Sequence, residues 1–255
     1  DIDTTGDIRI IDSEINATRY RTSTIELKGS EVLIRNSTIW SGTYFTGTGD
    51  YCWYSYWDYE ESYCPNNYGA YRTHIYSYLT LEANNLTITD SILKSTSEQA
   101  SEAQYPSGYN SNYEYWRKAS ADVDVDVEYD MKVDDSLILG RVRNPGPDDY
   151  NRNYNDQAYL DYDIAAQNLE VLDSTLMGKR VAGQGSYSLL TTIDSGGGEV
   201  DIQESWLGLY DPAASSAGNL QIRETNYTLS ITNSTLRTTI YACYSVPGND
   251  YGCNS

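Results

Sequence analysis

Short runs of alternating apolar and polar residues recur along the chain, and each ends in the same polar corner. The phrase reads apolar, any, apolar, any, acid or Asn, Ser, any, Ile or Leu. Its first copy is Ile8-Arg9-Ile10-Ile11-Asp12-Ser13-Glu14-Ile15, and further copies start at Leu33, Leu86, Met131, Leu169, Val200 and Leu229. All seven carry the serine, at Ser13, Ser37, Ser91, Ser136, Ser174, Ser205 and Ser234. A period of two puts alternate side chains on opposite faces of a strand, so each phrase predicts a short strand with one face inward, a corner, and a second short apolar piece.

An upstream partner accompanies the phrase. Ile25-Glu26-Leu27 precedes Ser37 by the same interval as Leu79-Thr80-Leu81 precedes Ser91 and Tyr162-Asp163-Ile164 precedes Ser174. Two short strands, a turn, a serine corner and a third apolar piece form one repeat. A single repeat cannot bury its apolar edge, so repeats must stack and share a core, about 4.8 Å apart. Helical periodicity is nearly absent. An antiparallel sandwich is the rival arrangement, but it would not need the same serine corner in every copy.

On these residues the chain resembles the right-handed parallel β-helix family, pectate-lyase-like in its repeat. That fold is shared by pectin-degrading enzymes, phage tailspikes and many archaeal surface proteins. The resemblance covers nearly the whole length. It implies an all-β, right-handed parallel β-helix (β-solenoid) of about seven coils in a single domain, 1–255, and it is nearly silent on function.

Intervals between successive serines are uneven. The longer ones hold insertions, expected at about 43–78, 97–120, 141–160 and 179–190, and all leave after the Ser-x-Ile/Leu piece, from one edge. A tail, 240–255, has similar composition. The chain has 26 Tyr and 5 Trp against 1 Phe, and the insertions hold most of these rings. A bias toward rings with a polar tip places them where a hydroxyl meets water or a partner. Trp53, Tyr54, Tyr56, Trp57, Tyr59, Tyr113 and Trp116 are the candidate interface aromatics. The competing reading is that these loops fold back and cover the flank of the stack.

Charge narrows the partners. The 255 residues carry a net charge of -20. Such a surface repels nucleic-acid phosphates and anionic membranes and attracts cations. No membrane-spanning run or secretory leader is read in the sequence, which opens inside an apparent strand at Asp1-Ile2-Asp3; a processed mature protein, or a piece of a longer one, is expected. The corner residues Asp12, Asn36, Asp90, Asp135, Asp173, Glu204 and Asn233 would stack at the inter-strand spacing. Either each caps turn amides and splays outward, or neighbours share a Ca²⁺ or Na⁺ ion. The run Asp122-Val123-Asp124-Val125-Asp126-Val127-Glu128 puts valines on one face and acids on the other. Asp122, Asp124 and Asp126 are a candidate structural Ca²⁺ site, against the alternative of a solvated strand face.

Four cysteines, Cys52, Cys64, Cys243 and Cys253, form two local pairs without the spacing of a zinc or redox site. Three connectivities are open; Cys52–Cys64 with Cys243–Cys253 is the expected one, and it implies an oxidising, extracellular or cell-surface setting. Sequons occur at Asn16, Asn36, Asn85, Asn226 and Asn233. N-glycans are expected at some of them, the corners being exposed.

Polysaccharide cleavage is the enzymatic rival. The Arg-x-Lys phrase that the resemblance would require of a hydrolase is missing, and the one histidine, His74, falls in the largest Tyr-rich insertion. Asp148-Asp149 and Asp134-Asp135 could supply carboxylates, although adjacent strand residues point to opposite faces. No catalytic residue is assigned, and an enzyme is not expected. The leading expectation is an extracellular structural glycoprotein that assembles with itself into a filament, sheath or surface layer. A carbohydrate-binding adhesin or viral spike module, with an extracellular polysaccharide as partner, is second; a lyase or hydrolase is third.

Overall fold

A computed structural model describes residues 1–19, 21–45, 50–53, 69–99, 114–144, 154–182, 190–195, 199–210, 219–224, 229–237 and 240–243. These residues are nearly all β. In chain order the strands are β1 (Ile2–Asp3), β2 (Ile8–Ile11), β3 (Glu14–Arg19), β4 (Thr22–Arg35), β5 (Thr38–Phe45), β6 (Asp50–Trp53), β7 (Gly69–Thr89), β8 (Ile92–Gln99), β9 (Glu114–Asp134) and β10 (Leu137–Arg143). They continue as β11 (Tyr154–Leu172), β12 (Thr175–Ala182), β13 (Leu190–Ser195), β14 (Val200–Gln203), β15 (Trp206–Tyr210), β16 (Asn219–Glu224), β17 (Leu229–Thr232), β18 (Thr235–Arg237) and β19 (Ile240–Cys243).

Two parallel sheets result. One has 12 strands, the path β1-β4-β7-β9-β11-β13-β16-β19 with β2, β6, β14 and β17 pairing in the same sheet; the other has 7, in the order β18-β15-β12-β10-β8-β5-β3. The chain crosses from the first sheet to the second at each serine corner, so partners in both sheets come from successive copies of the phrase. Ile10, Ile34, Ile88, Val133, Val171, Ile202 and Ile231 thereby fall in one register row. The short antiparallel pair β6–β7 departs from this parallel pattern.

The long strands β4, β7, β9 and β11 each contribute twice. Leu27 and Val32 in β4 are both buried, but the parity between them is interrupted at 28–31. At the matching place β9 carries an extra residue, and its register shifts against β7 between Ala83 and Asn85 and against β11 between Ala166 and Asn168. An extra unpaired residue bends a strand. This second corner has its own polar links: Asn85 Nδ2 donates to Glu31 Oε1 at 2.7 Å, Asp130 N–H to Asn85 Oδ1 at 3.2 Å, and Asn168 Nδ2 to Asp130 Oδ1 at 2.6 Å.

The sheets face each other across two hydrophobic clusters. The larger holds residues such as Leu27, Ile34, Leu81, Ile88, Val133 and Ile164. The smaller joins Phe45 and Val142 of the second sheet to Ile75, Ala119, Ala121, Ala158 and Leu160 of the first. Buried hydroxyls lie between them along the strands: Ser41 Oγ donates to Ser23 Oγ at 2.9 Å, and Ser77 and Ser95 hydroxyls meet at 2.8 Å. Pairing satisfies them, which burial demands. Gly140 admits a large neighbour: a Cβ there would sit 2.7 Å from Leu160 Cδ1 and 3.1 Å from Tyr162 Cδ2. The fully buried Tyr162 spends its hydroxyl on the Ile138 carbonyl at 3.0 Å.

Strand structure runs further into the expected insertions than the hydrophobic pattern places it. β7 begins at Gly69, β9 at Glu114 and β11 at Tyr154, while β5 and β8 end at Phe45 and Gln99. Tyr, Thr and Ser occupy inward or flanking positions there, so polar composition hid strand parity.

Candidate functional surface

Each serine corner is built the same way. Asp12, Asn36, Asp90, Asp135, Asp173, Glu204 and Asn233 all adopt positive φ, between 43° and 51°, and all are exposed. Asn and Asp tolerate this left-handed region best among residues with a side chain. The sharp turn aims the following serine inward. Its Oγ donates to the carbonyl two residues back, as Ser91 does to Thr89 at 2.6 Å and Ser136 to Asp134 at 2.6 Å. It also accepts a backbone N–H from the preceding serine: Ser37 to Ser91, Ser91 to Ser136, Ser136 to Ser174, all within 3.0–3.1 Å. The series continues through Ser205 to Ser234. The amides at these corners are therefore capped by serine and not, as one sequence reading had it, by the acid or Asn. All seven corner residues are exposed, but Asp12 and Asn36 meet rather than splay apart, Asn36 Nδ2 donating to Asp12 Oδ1 at 2.8 Å.

Outside this spine, the opposed outer faces of the two sheets differ in charge. On the first sheet the run in β9 alternates as expected, with Val123, Val125 and Val127 buried and Asp124, Asp126 and Glu128 exposed. Register sets Asp122 beside Asp161 and Asp124 beside Asp163 of β11, and Asp126 beside Glu82 of β7. Burial, then the nearby Asp163 charge, raise the pKa of both Asp124 and Asp161. Asp163 Oδ1 is shielded from solvent and accepts no hydrogen bond among the described residues. Lys28 offsets one end of this field, bridging Glu26 at 2.8 Å and Glu82 at 2.9 Å; its hydrogen bonds to both push its pKa up. A stacked pair, Tyr76 and Tyr78, lies beside the acids with ring centres 6.1 Å apart, and His74 meets Tyr76 edge-on.

The outer face of the second sheet is cationic and partly apolar. Its outward positions include Trp40 in β5, Lys94 and Glu98 in β8, Arg141 and Arg143 in β10, and Lys179 in β12. Arg141 Nη1 meets Glu98 Oε1 at 2.5 Å, and Trp40 Nε1 donates to Thr96 Oγ1 at 2.7 Å. Tyr44 is 51% exposed and Ile92 37%. Net charge and loop aromatics dominate the sequence reading, which passed over this face; the outward parity of Lys94, Arg141 and Lys179 was the available signal.

Other candidates separate. Among the described residues no group of three or more His, Cys, Asp or Glu is arranged to hold a metal ion; Asp122, Asp124 and Asp126 line one strand face rather than converging. His74 lies on β7 and its Nδ1 is 3.2 Å from the Tyr76 hydroxyl. Asp134 ends β9, whereas Asp135 is the exposed corner beside it. Asn16, Asn36 and Asn233 are exposed; Asn85 is engaged at both amide atoms in the second corner. Asn226, Asp148-Asp149, Cys64, Cys253, Tyr54, Tyr56, Trp57, Tyr59 and Tyr113 lie outside the described residues, as do the side chains of Cys52, Trp53, Trp116 and Cys243. Among the described residues no helix is long and apolar enough to cross a membrane.

No protein-family model matches the chain, and neither a curated protein nor a solved structure matches it.

Proposed function

We propose that the chain winds as a right-handed parallel β-helix and serves as a rigid structural unit of an extracellular assembly, a filament, sheath or surface layer. The serine ladder carries this reading. One set of bonds repeats from Ser13 to Ser234 at every crossing between the sheets. A stack held this way presents regularly spaced rows of side chains on its outer faces, which suits repeated contact with copies of itself.

Local disulfides at Cys52–Cys64 and Cys243–Cys253, and glycans on the exposed Asn36 and Asn233, fit the same setting. Electron microscopy of the native protein, extracted without denaturant, tests the proposal. Regular filaments or sheets are the expected result, and dispersed particles at all concentrations would overturn it.

A second reading, an adhesive module for extracellular polysaccharide, is favoured by Trp40 beside Lys94, with the exposed Tyr44 further along the same face. Aromatic faces with flanking cations suit carboxylated sugars. Binding of a soluble acidic polysaccharide by the monomer would move the assignment there.

A further inference from the structure

The two charged faces are related in three ways. They look in opposite directions, because the sheets that bear them pack against each other through the core. They occupy the same levels of the stack: the acids sit on β7, β9 and β11, and the cations on β8, β10 and β12, the strands that follow each of these in the chain. Both also place like charges on neighbouring strands, about 4.8 Å apart: Asp124 beside Asp163, and Arg141 beside Lys179. A translation of one molecule across its own thickness therefore brings the acids over the cations.

We propose that the face bearing Asp122, Asp124 and Asp163 docks on the face bearing Lys94, Arg141 and Arg143 of a second copy, so that molecules stack side by side. This deepens the structural-unit reading and rests on it. The contact uses different patches on the two partners, so it does not close, and repetition gives an open array. Asp124 and Asp163 gain cationic partners. They lie side by side in register, and Lys28, which acts on Asp124, is already shared by Glu26 and Glu82. On the other face Lys94 has no carboxylate partner among the described residues, while Glu98 is taken by Arg141. A second copy is favoured over an acidic polysaccharide because it relieves both faces at once; a polymer would neutralise the cations and leave the carboxylates facing one another.

Charge reversal tests this. Sedimentation velocity would follow wild type, Lys94→Glu/Arg143→Glu, and Asp124→Lys/Asp163→Lys, with circular dichroism and thermal unfolding to confirm folding. Wild type should associate at about 0.01 M salt and dissociate near 1 M, where the screening length falls from ~30 Å to ~3 Å. Each reversed variant alone should stay monomeric at low salt, and an equimolar mixture of the two should associate again, because each then offers both faces to the other. Should a reversed chain fail to fold, Lys94→Gln/Arg143→Gln should still weaken association by about tenfold or more. Assembly of the reversed variants as readily as wild type, or a mixture that stays monomeric, would overturn this docking while leaving a structural unit built through other contacts. Binding of polygalacturonate by wild type that remains monomeric would also overturn it, in favour of the adhesive reading. A wild type that neither associates nor binds polymer at any salt would overturn both the docking and the structural-unit proposal.

Discussion

The backbone N–H of Ser91 donates to the Oγ of Ser136 at 3.0 Å, across 45 residues of sequence. The same hydroxyl donates back to the Asp134 carbonyl at 2.6 Å, so one buried oxygen satisfies an amide of one repeat and a carbonyl of the next. Removing it strands the Ser91 amide, while the Asp134 carbonyl keeps the Asp90 N–H at 3.1 Å, and a buried amide without a partner costs about 1–3 kcal/mol. Ser136→Ala should therefore lower the midpoint of thermal unfolding by several degrees. Ser13→Ala, at an exposed rung where the hydroxyl meets only the Ile11 carbonyl among the described residues, should change it far less. Equal effects in differential scanning calorimetry would refute the ladder's energetic role.

Glu204 is the odd member of the corner set. It holds φ 49° with a side chain less suited to that region than Asp or Asn. Glu204→Gly removes the Cβ penalty, and Glu204→Asn reduces it. Both should stabilise the protein by about 0.5–1 kcal/mol, measured by urea unfolding. A loss of stability in both would show that Glu204 contributes a contact of its own.

Gly140 faces Leu160 and Tyr162 with no room for a methyl group. Gly140→Ala should cost about 1–3 kcal/mol by overpacking. Shortening the obstructing side chain, in Gly140→Ala/Leu160→Val, should recover part of that loss. Additive destabilisation in the double variant would place the strain elsewhere.

The paired acids make a prediction about pH. Burial and the Asp163 charge raise Asp124 and Asp161 above the ordinary value of 3.8. A carboxyl raised on folding contributes stability that is fully present below its unfolded pKa and is lost as pH rises through its folded pKa. These two groups therefore make the fold less stable at neutral pH than in mild acid. Asp124→Asn and Asp161→Asn should raise the melting temperature at pH 7, each by on the order of 2 °C, because both groups are partly solvated and screened. The gain should shrink toward pH 4. A gain independent of pH would argue against electrostatic repulsion as its source.

Much of the architecture is legible in the sequence. The recurrence of Ser13, Ser37, Ser91, Ser136, Ser174, Ser205 and Ser234 three places after an Ile or Val marks the crossings between the sheets. The alternation from Asp122 to Glu128 assigns its faces correctly. Each is a local property: a period of two, or a residue tolerant of positive φ, constrains its own few residues wherever the rest of the chain goes. The extent of β7, β9 and β11 was obscured because Tyr, Ser and Thr fill positions where apolar residues would have announced a strand.

What the chain determined by itself is therefore the repeat, the corners and the polarity of each strand face. Tertiary structure alone decided which residues far apart in sequence stand side by side. Asp124 beside Asp163, Ser41 bonded to Ser23, and Gly140 opened for Tyr162 depend on register between strands. Register is a joint property of two segments and of the insertions between them. The corner serines mark where each crossing begins, but only parallel pairing along the whole stack converts those marks into neighbours, one acidic face and one cationic face.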